Sequence, residues 1–374
     1  MPLQSLDKLS DYHAATTANG PGGVVAEWLS GTRAKIVVAT AGVVLLVLFS
    51  NAFPSSTATL RKKSSVPWGT NLCDAVTGDC YEHADKPSPR TGYSAWSEQQ
   101  FLDWTGAQRK LAGKAEKRCG KGSTPPSLLL IGDSITESWL GTGLAKPVAK
   151  FKDTAGAFAR TKLAEQFGSD PLILGLSGDQ TQHVLWRLEQ GHEMPKCSND
   201  EAFLVIMLIG TNNLGNGHLP GETVRGIVAV ANKVLTIAPK AVVLMSALMP
   251  RGDGARRPDR MEKICPPRCK SDGTPFASFT PAVNQVNEAL PTEVSWLQKK
   301  YGKDRVALED CSRVLVKPGA INSNGDWAQE VDPTLMPDYL HPNAEGMVRW
   351  ADCMAITAGK LMHKESAQPK KDIL

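Results

Sequence analysis

SLLLIGDSITESW, residues 127–139, sets four apolar residues, Leu128 to Ile131, directly before a Gly-Asp-Ser turn and a helical pattern. A short continuous apolar run bounded by Gly or Pro reads as a strand buried on both faces, as in a parallel sheet covered by helices. The same signature recurs in PLILGL (171–176), FLVIMLIG (203–210) and AVVLMSAL (241–248). Between these runs, Thr223 to Ala238 places Val224, Ile227, Val228, Ala231, Val234 and Leu235 at helical spacing. Val283 to Tyr301 forms a further predicted helix, and a short strand around Arg305 to Leu308 closes the series. The expectation is an α/β domain with a five-stranded parallel sheet between helices. Sites in such sheets form outside the carboxyl ends of the strands.

Four blocks with chemical potential fall at such places. Gly132-Asp133-Ser134-Ile135-Thr136 follows the first run and opens a helix, so the Ser134 hydroxyl projects from a strand end and its N–H lies near a helix N-terminus. Thr136 replaces the second glycine of G-x-S-x-G, which sets this turn apart from the α/β-hydrolase elbow. Taken alone, most Gly-Asp-Ser triplets are ordinary serine helix caps. Gly175-Leu-Ser-Gly178-Asp179 follows the second run, where glycine lets a backbone N–H approach a ligand. Gly210-Thr211-Asn212-Asn213 follows the third, and the Asn212 amide can face the cleft. Together the Ser134 N–H, the Gly178 N–H and the Asn212 amide make three candidate donors for a tetrahedral oxyanion. Near the carboxyl end, Asp338-Tyr-Leu-His341-Pro puts a carboxylate three residues before an imidazole, which it can orient toward Ser134. The weight of this last pair comes from order and placement, since all four blocks occur in sequence and three follow successive strands.

The segments IGDSITESW, LILGLSGDQTQHVLWRLEQG, VIMLIGTNN, LMPRGD and DYLHPNAEGM resemble the SGNH/GDSL hydrolase superfamily over Ser127 to Ile356. They are most similar to the catalytic α subunits of type I platelet-activating-factor acetylhydrolase. The resemblance implies a flavodoxin-like three-layer sandwich, with Ser134 as nucleophile, His341 as base and Asp338 as its orienter. It also implies Gly178 and Asn212 in the oxyanion hole and no metal or organic cofactor. This chain departs from the pattern in a longer stretch between Ser134 and Gly178 and in a basic, Pro-rich insertion from Asp253 to Pro281. Loops around the cleft read the substrate, so the expected partner is a small-molecule, carbohydrate or lipid ester; a homodimer stays open.

A third departure is an apolar segment near the N-terminus. No charged residue occurs from Ile36 to Leu60, and Ile36 to Phe53 is almost wholly apolar, about the length needed to cross a bilayer core of roughly 30 Å. A single transmembrane helix over 34–53 is therefore expected, with the membrane as a partner. It would follow a polar tail (1–33) and precede a stem or linker (54–92), a helical extension (93–126), the catalytic domain (127–362) and a polar tail (363–374). Trp96, Phe101, Trp104 and Leu111 can share one face of the extension's helix. All eight cysteines follow the apolar segment, which suits an oxidising lumen and a type II orientation, with reduced thiols as the alternative. Arg33 and Lys35 on one side, and Arg61, Lys62 and Lys63 on the other, leave orientation open.

The net charge of +4 arises from 42 basic and 38 acidic residues spread along the chain, without a basic stripe interleaved with aromatics, so no nucleic-acid partner is expected. His13, His83, His192, His218 and His363 lack metal-ligand spacing, and His183 and Trp186 read as packing residues. Arg251, Arg256 and Arg257 read as an exposed basic loop. The expected function is hydrolysis of acetyl or other short acyl esters through an acyl-Ser134 intermediate. Transfer of the same acyl group to a carbohydrate hydroxyl needs the same residues and stays open, as does a non-catalytic binding domain.

Overall fold

The structure, a computed structural model, describes residues 39–40, 43–44, 73, 79–91, 94–95, 97–121, 126–151, 157–168, 170–199, 202–253, 261–262, 269–270, 272–276, 278–317 and 331–365. The chain divides into two compact units, Met1–Ser56 and Thr57–Leu374.

In the larger unit, β1 (Leu128–Gly132), β2 (Leu172–Gly175), β3 (Phe203–Leu208), β4 (Ala241–Ser246) and β5 (Val306–Glu309) form one sheet. Its order is β2-β1-β3-β4-β5, and every pair is parallel. Every residue of β1 to β4 is buried, as their unbroken apolar runs require, whereas the edge strand β5 buries only Val306 and Glu309.

Eight α-helices of four or more residues are described in this unit: α1 (Glu98–Lys117), α2 (Ser134–Glu137), α3 (Ala157–Phe167), α4 (Thr181–Glu189), α5 (Thr211–Gly215), α6 (Pro220–Ile237), α7 (Thr280–Tyr301) and α8 (Ala344–Glu365). Helices α4, α6 and α7 pack side by side, and α3 packs on α8. The chain steps one way from β1 to β2 and the other way from β2 through β5, so right-handed crossovers put these two groups on opposite faces. The result is the expected three-layer α/β sandwich. Helix α6 shows how sequence fixes an element: Pro220 opens it, Glu222 Oε2 accepts the Leu219 N–H (2.7 Å), and Val224, Ile227, Val230, Ala231, Val234 and Leu235 form its buried stripe.

Register brings the strand-end loops together. Gly132 pairs with both Gly175 and Leu208, so β1, β2 and β3 end level. A Cβ at Gly132 would lie 2.3 Å from the Leu208 carbonyl oxygen, and one at Gly175 would lie 2.3 Å from the Glu137 nitrogen. Glycine at both places is what lets the segment after β1 cross directly over its neighbours.

The transmembrane helix expected over 34–53 is overturned. Ala39–Thr40 pairs antiparallel with Val43–Val44, and among the described residues no helix is long and apolar enough to cross a membrane. Thr40, Val43 and Val44 are β-branched and favour extended backbone. Apolar composition alone does not separate such a pairing from a helix. The remainder of that expected span lies outside the described residues.

Residues 79–91, within the expected stem, are tied into the larger unit. The Ala84 carbonyl accepts from Thr181 Oγ1 (2.7 Å), the Ser88 N–H donates to the Gln182 carbonyl (3.1 Å), and Glu82 and Arg90 are buried. Helix α1 is capped by Ser97 and buries Trp104, Ala107, Leu111 and Ala115, while Phe101 is only half-buried; Trp96 lies outside the described residues. Cys73–Cys80, Cys119–Cys197 and Cys311–Cys353 are disulfides, Cys269 is also disulfide-bonded, and among the described residues no cysteine is free.

Candidate active site

Ser134 is the first residue of α2, directly after β1, and Asp133 caps that helix by accepting the Ile135 N–H (3.0 Å). The Ser134 Oγ lies 2.9 Å from His341 Nε2, across 207 residues of sequence. His341 Nδ1 lies 2.8 Å from Asp338 Oδ2. The other carboxylate oxygen, Oδ1, accepts the backbone N–H groups of His341 (2.7 Å) and Leu340 (3.1 Å). This fold-back turn holds Tyr339 at φ 62°, a left-handed conformation that costs a non-glycine residue about 1–2 kcal/mol. The Tyr339 N–H donates to the Met336 carbonyl (2.8 Å), and its own carbonyl accepts from Gly252 N–H (2.9 Å). Burial works to raise the Asp338 pKa, but the hydrogen bond and charge of His341 and the hydrogen bond from Lys150 outweigh it and hold the carboxylate well below its usual range. Asp338 is therefore an anion throughout the neutral range.

Next to Ser134 the second loop carries Gly178 at φ 80°. A Cβ there would stand 2.1 Å from Arg90 Nη2, so glycine is required both for conformation and for space. Arg90 also donates to the Ser177 carbonyl (3.2 Å). Glu137 fixes the same loop from the other side, accepting Ser177 N–H (2.7 Å) and Oγ–H (2.6 Å) as well as the Ala145 N–H (2.7 Å). In the third loop, Asn212 Nδ2 donates to the Asp179 carbonyl (3.0 Å) and, more loosely, to Asp133 Oδ2 (3.4 Å). Asp133 is fully buried, and that burial, with Asp179 nearby, pushes its pKa up to about 7 despite the Ile135 N–H and Arg251.

Beneath these loops lies a buried polar network. Asp179 accepts from Trp104 Nε1 (2.6 Å) and Arg187 Nη1 (2.6 Å), and Arg187 continues to Glu193 (2.6 Å), the Leu174 carbonyl (2.6 Å) and the Gly132 carbonyl (3.3 Å). His183, expected to pack, is indeed fully buried: Nδ1 accepts the Gln180 N–H (3.0 Å) and Nε2 faces Ser94 Oγ (3.1 Å) and Glu82 Oε2 (3.4 Å). Trp186 leans on Trp104 with ring centroids 5.6 Å apart.

Arg251, expected in an exposed basic loop, is fully buried and braces the third loop, donating to the Thr211 carbonyl (2.6 Å) and pairing with Asp253 (2.7 Å). Arg256 and Arg257 lie outside the described residues. Glu309, Cys311 and Cys353 place ligand-type atoms close together, but both sulfurs are joined in the disulfide, so the trio does not form a thiolate metal site. Sequence reasoning missed Arg90, Glu137 and Lys150, whose roles rest on contacts across 87, 40 and 188 residues respectively and have no local pattern.

Ser134, Asp338 and His341 thus stand in hydrogen-bonded series, and the loops bearing Gly178 and Asn212 meet beside them. Residues 130–349, more than half of the chain, match the model of the GDSL-like lipase/acylhydrolase family. The chain belongs to this family, a class of SGNH-type ester hydrolases. Among curated proteins, platelet-activating factor acetylhydrolase IB subunit alpha1 of Bos taurus is 42% identical over 84 residues, 22% of this chain and 32% of that protein. The matched stretch spans about a third of that relative's length. Similar solved structures include a carbohydrate esterase family 3 protein from Talaromyces cellulolyticus (15% identity, TM-score 0.40, 63% of this chain and 98% of that chain). A Clostridium thermocellum family 3 carbohydrate esterase is similar to the same degree (17% identity, TM-score 0.39, 64% and 98%).

Proposed function

We propose that the protein hydrolyses acetyl or other short-acyl carboxylic esters through an acyl-Ser134 intermediate. The observation that carries this reading is the unbroken series from Ser134 Oγ to His341 Nε2 (2.9 Å) and from His341 Nδ1 to Asp338 Oδ2 (2.8 Å). In this reading His341 Nε2 takes the hydroxyl proton as Ser134 Oγ bonds to the ester carbonyl carbon. Asp338, held as an anion, accepts the Nδ1–H and stabilises the imidazolium. The carbonyl oxygen, now negative, is met by the N–H groups of Ser134 and Gly178 and by the Asn212 amide. The bond from Asn212 to Asp133, at 3.4 Å, is the looser of its two and is the one an oxyanion would replace. Collapse breaks the ester C–O bond, and the proton on Nε2 passes to the departing alkoxide. Water, deprotonated by His341, then attacks the acyl group and restores Ser134 with release of the carboxylic acid.

The acetyl preference is supported by the name of the curated relative, an acetylhydrolase. The disulfides found among the described residues support an oxidising compartment as the place of action. The test is to incubate the full chain and its Ser134→Ala variant with p-nitrophenyl acetate, an acetylated oligosaccharide and platelet-activating factor. Acetate release by the native chain, falling by on the order of 10⁴ or more in the variant, is expected. Equal release by both would refute the assignment.

A further inference from the structure

Lys150 stands beside the Asp338–His341 pair and neither gives nor takes a proton in the proposed ester hydrolysis. Its Nζ lies 2.6 Å from Asp338 Oδ2, the same oxygen that receives His341 Nδ1, and 3.4 Å from Nδ1 itself. The residue is placed there by its neighbour. Phe151 is buried, its ring meets the His341 ring edge-on with centroids 5.6 Å apart, and Lys150 Nζ sits 4.7 Å from the Phe151 ring centre. The short helical turn Ala149–Phe151 carries both residues.

We propose that Lys150 is a positioning residue of the site, pinning Asp338 Oδ2 and setting the lower pH limit at which His341 can accept the serine proton. This rests on the Ser134–His341–Asp338 reading. Two physical effects act in the same direction. An ammonium 3.4 Å from the ring nitrogen repels a second positive charge on the ring, and it competes for the carboxylate oxygen that would otherwise serve the ring alone. Both keep the imidazole in its neutral, proton-accepting form at lower pH.

Among the described residues, other titratable or charged groups come from four neighbouring segments, one of them the loop of Gly252, which bonds the Tyr339 carbonyl and is flanked by Arg251 and Asp253. Its own loop supplies Asp338 and Tyr339; α2 supplies Ser134, with Asp133 immediately before it; and the first turn of α8 supplies Glu345, which is paired with Arg349 (3.1 Å). Burial pushes the pKa of the neighbouring Asp133 up to about 7, so the test must read His341 itself.

The experiment compares the native chain with Lys150→Met, Lys150→Arg and Lys150→Glu in the pH dependence of kcat/KM for p-nitrophenyl acetate. The acid limb is expected to move to higher pH in Lys150→Met and further in Lys150→Glu, and to stay near its native position in Lys150→Arg. The His341 ring titration, followed by NMR in a Ser134→Ala background, should move in the same order. Because this second measurement needs no turnover, it tests the lysine even if the chain proves not to hydrolyse esters, which would overturn the proposed function alone. A limb and a ring titration that do not move in Lys150→Met, or that move equally in Lys150→Met and Lys150→Arg, would overturn the role of the charge.

Discussion

Replacing Arg187 with methionine keeps most of the side-chain volume but removes the cation that joins the ends of β1 and β2 to the second strand-end loop and to Glu193. Arg187 is 1% exposed and holds two buried carboxylates, Asp179 at 2.6 Å and Glu193 at 2.6 Å, besides the carbonyls of Leu174 and Gly132. Breaking a buried ion pair by removing one partner typically costs about 3–5 kcal/mol, because the charge left behind is uncompensated. In a domain of this size each kcal/mol displaces Tm by about 2–4 °C, so a fall of roughly 6–20 °C is expected. The pH dependence sharpens the claim. Burial already holds the Glu193 pKa above its ordinary value even with Arg187 beside it. A group raised on folding contributes stability that is present below its unfolded pKa and lost as pH rises through the folded value. Without Arg187 the folded value climbs further, so the gap between variant and native should widen from pH 5 to pH 8. Urea unfolding followed by tryptophan fluorescence, with disulfides intact, measures both quantities. A loss below about 1 kcal/mol, or one independent of pH, would refute the view that this network fixes the loops.

Two further predictions follow from the site and the disulfides. Asn212→Ala should lower kcat by about 10² to 10³ with little change in KM, the usual cost of one oxyanion donor; a raised KM with kcat preserved would make Asn212 a substrate contact instead. Replacing Cys311 and Cys353 together by alanine opens a link between residues 42 apart and should cost about 4 kcal/mol in denaturant unfolding, and a cost near zero would show that the rest of the fold already constrains that loop.

The sheet was legible because β1 to β4 are buried on both faces and therefore carry unbroken apolar runs, although each of those runs except the first continues past its strand, as Leu176, Ile209 and Leu248 do. The candidate site was legible because its residues sit at the ends of those strands, with Ser134, Gly178 and Asn212 each a few residues beyond one, and because Asp338 and His341 lie three apart in one turn. What escaped was whatever depends on long-range polar contact. Glu82 and Arg90 sit in a polar stretch that reads as a linker, yet they are buried by partners around residues 177–183. Arg251 reads as a surface charge because nothing local reveals that Asp253 and the Thr211 carbonyl enclose it. The apolar N-terminal run failed for another reason: it satisfies the composition of a spanning helix, but the backbone preference of its β-branched residues competes with that conformation.

The central claim is that Ser134 is an activated nucleophile, and covalent labelling tests it most directly. The full chain is treated with a fluorophosphonate and the adduct is located by peptide mass spectrometry. A single adduct on Ser134, absent from Ser134→Ala and slowed by on the order of 10³ or more in His341→Ala, is the predicted result. An adduct on a different residue, or undiminished labelling in Ser134→Ala, would contradict the account.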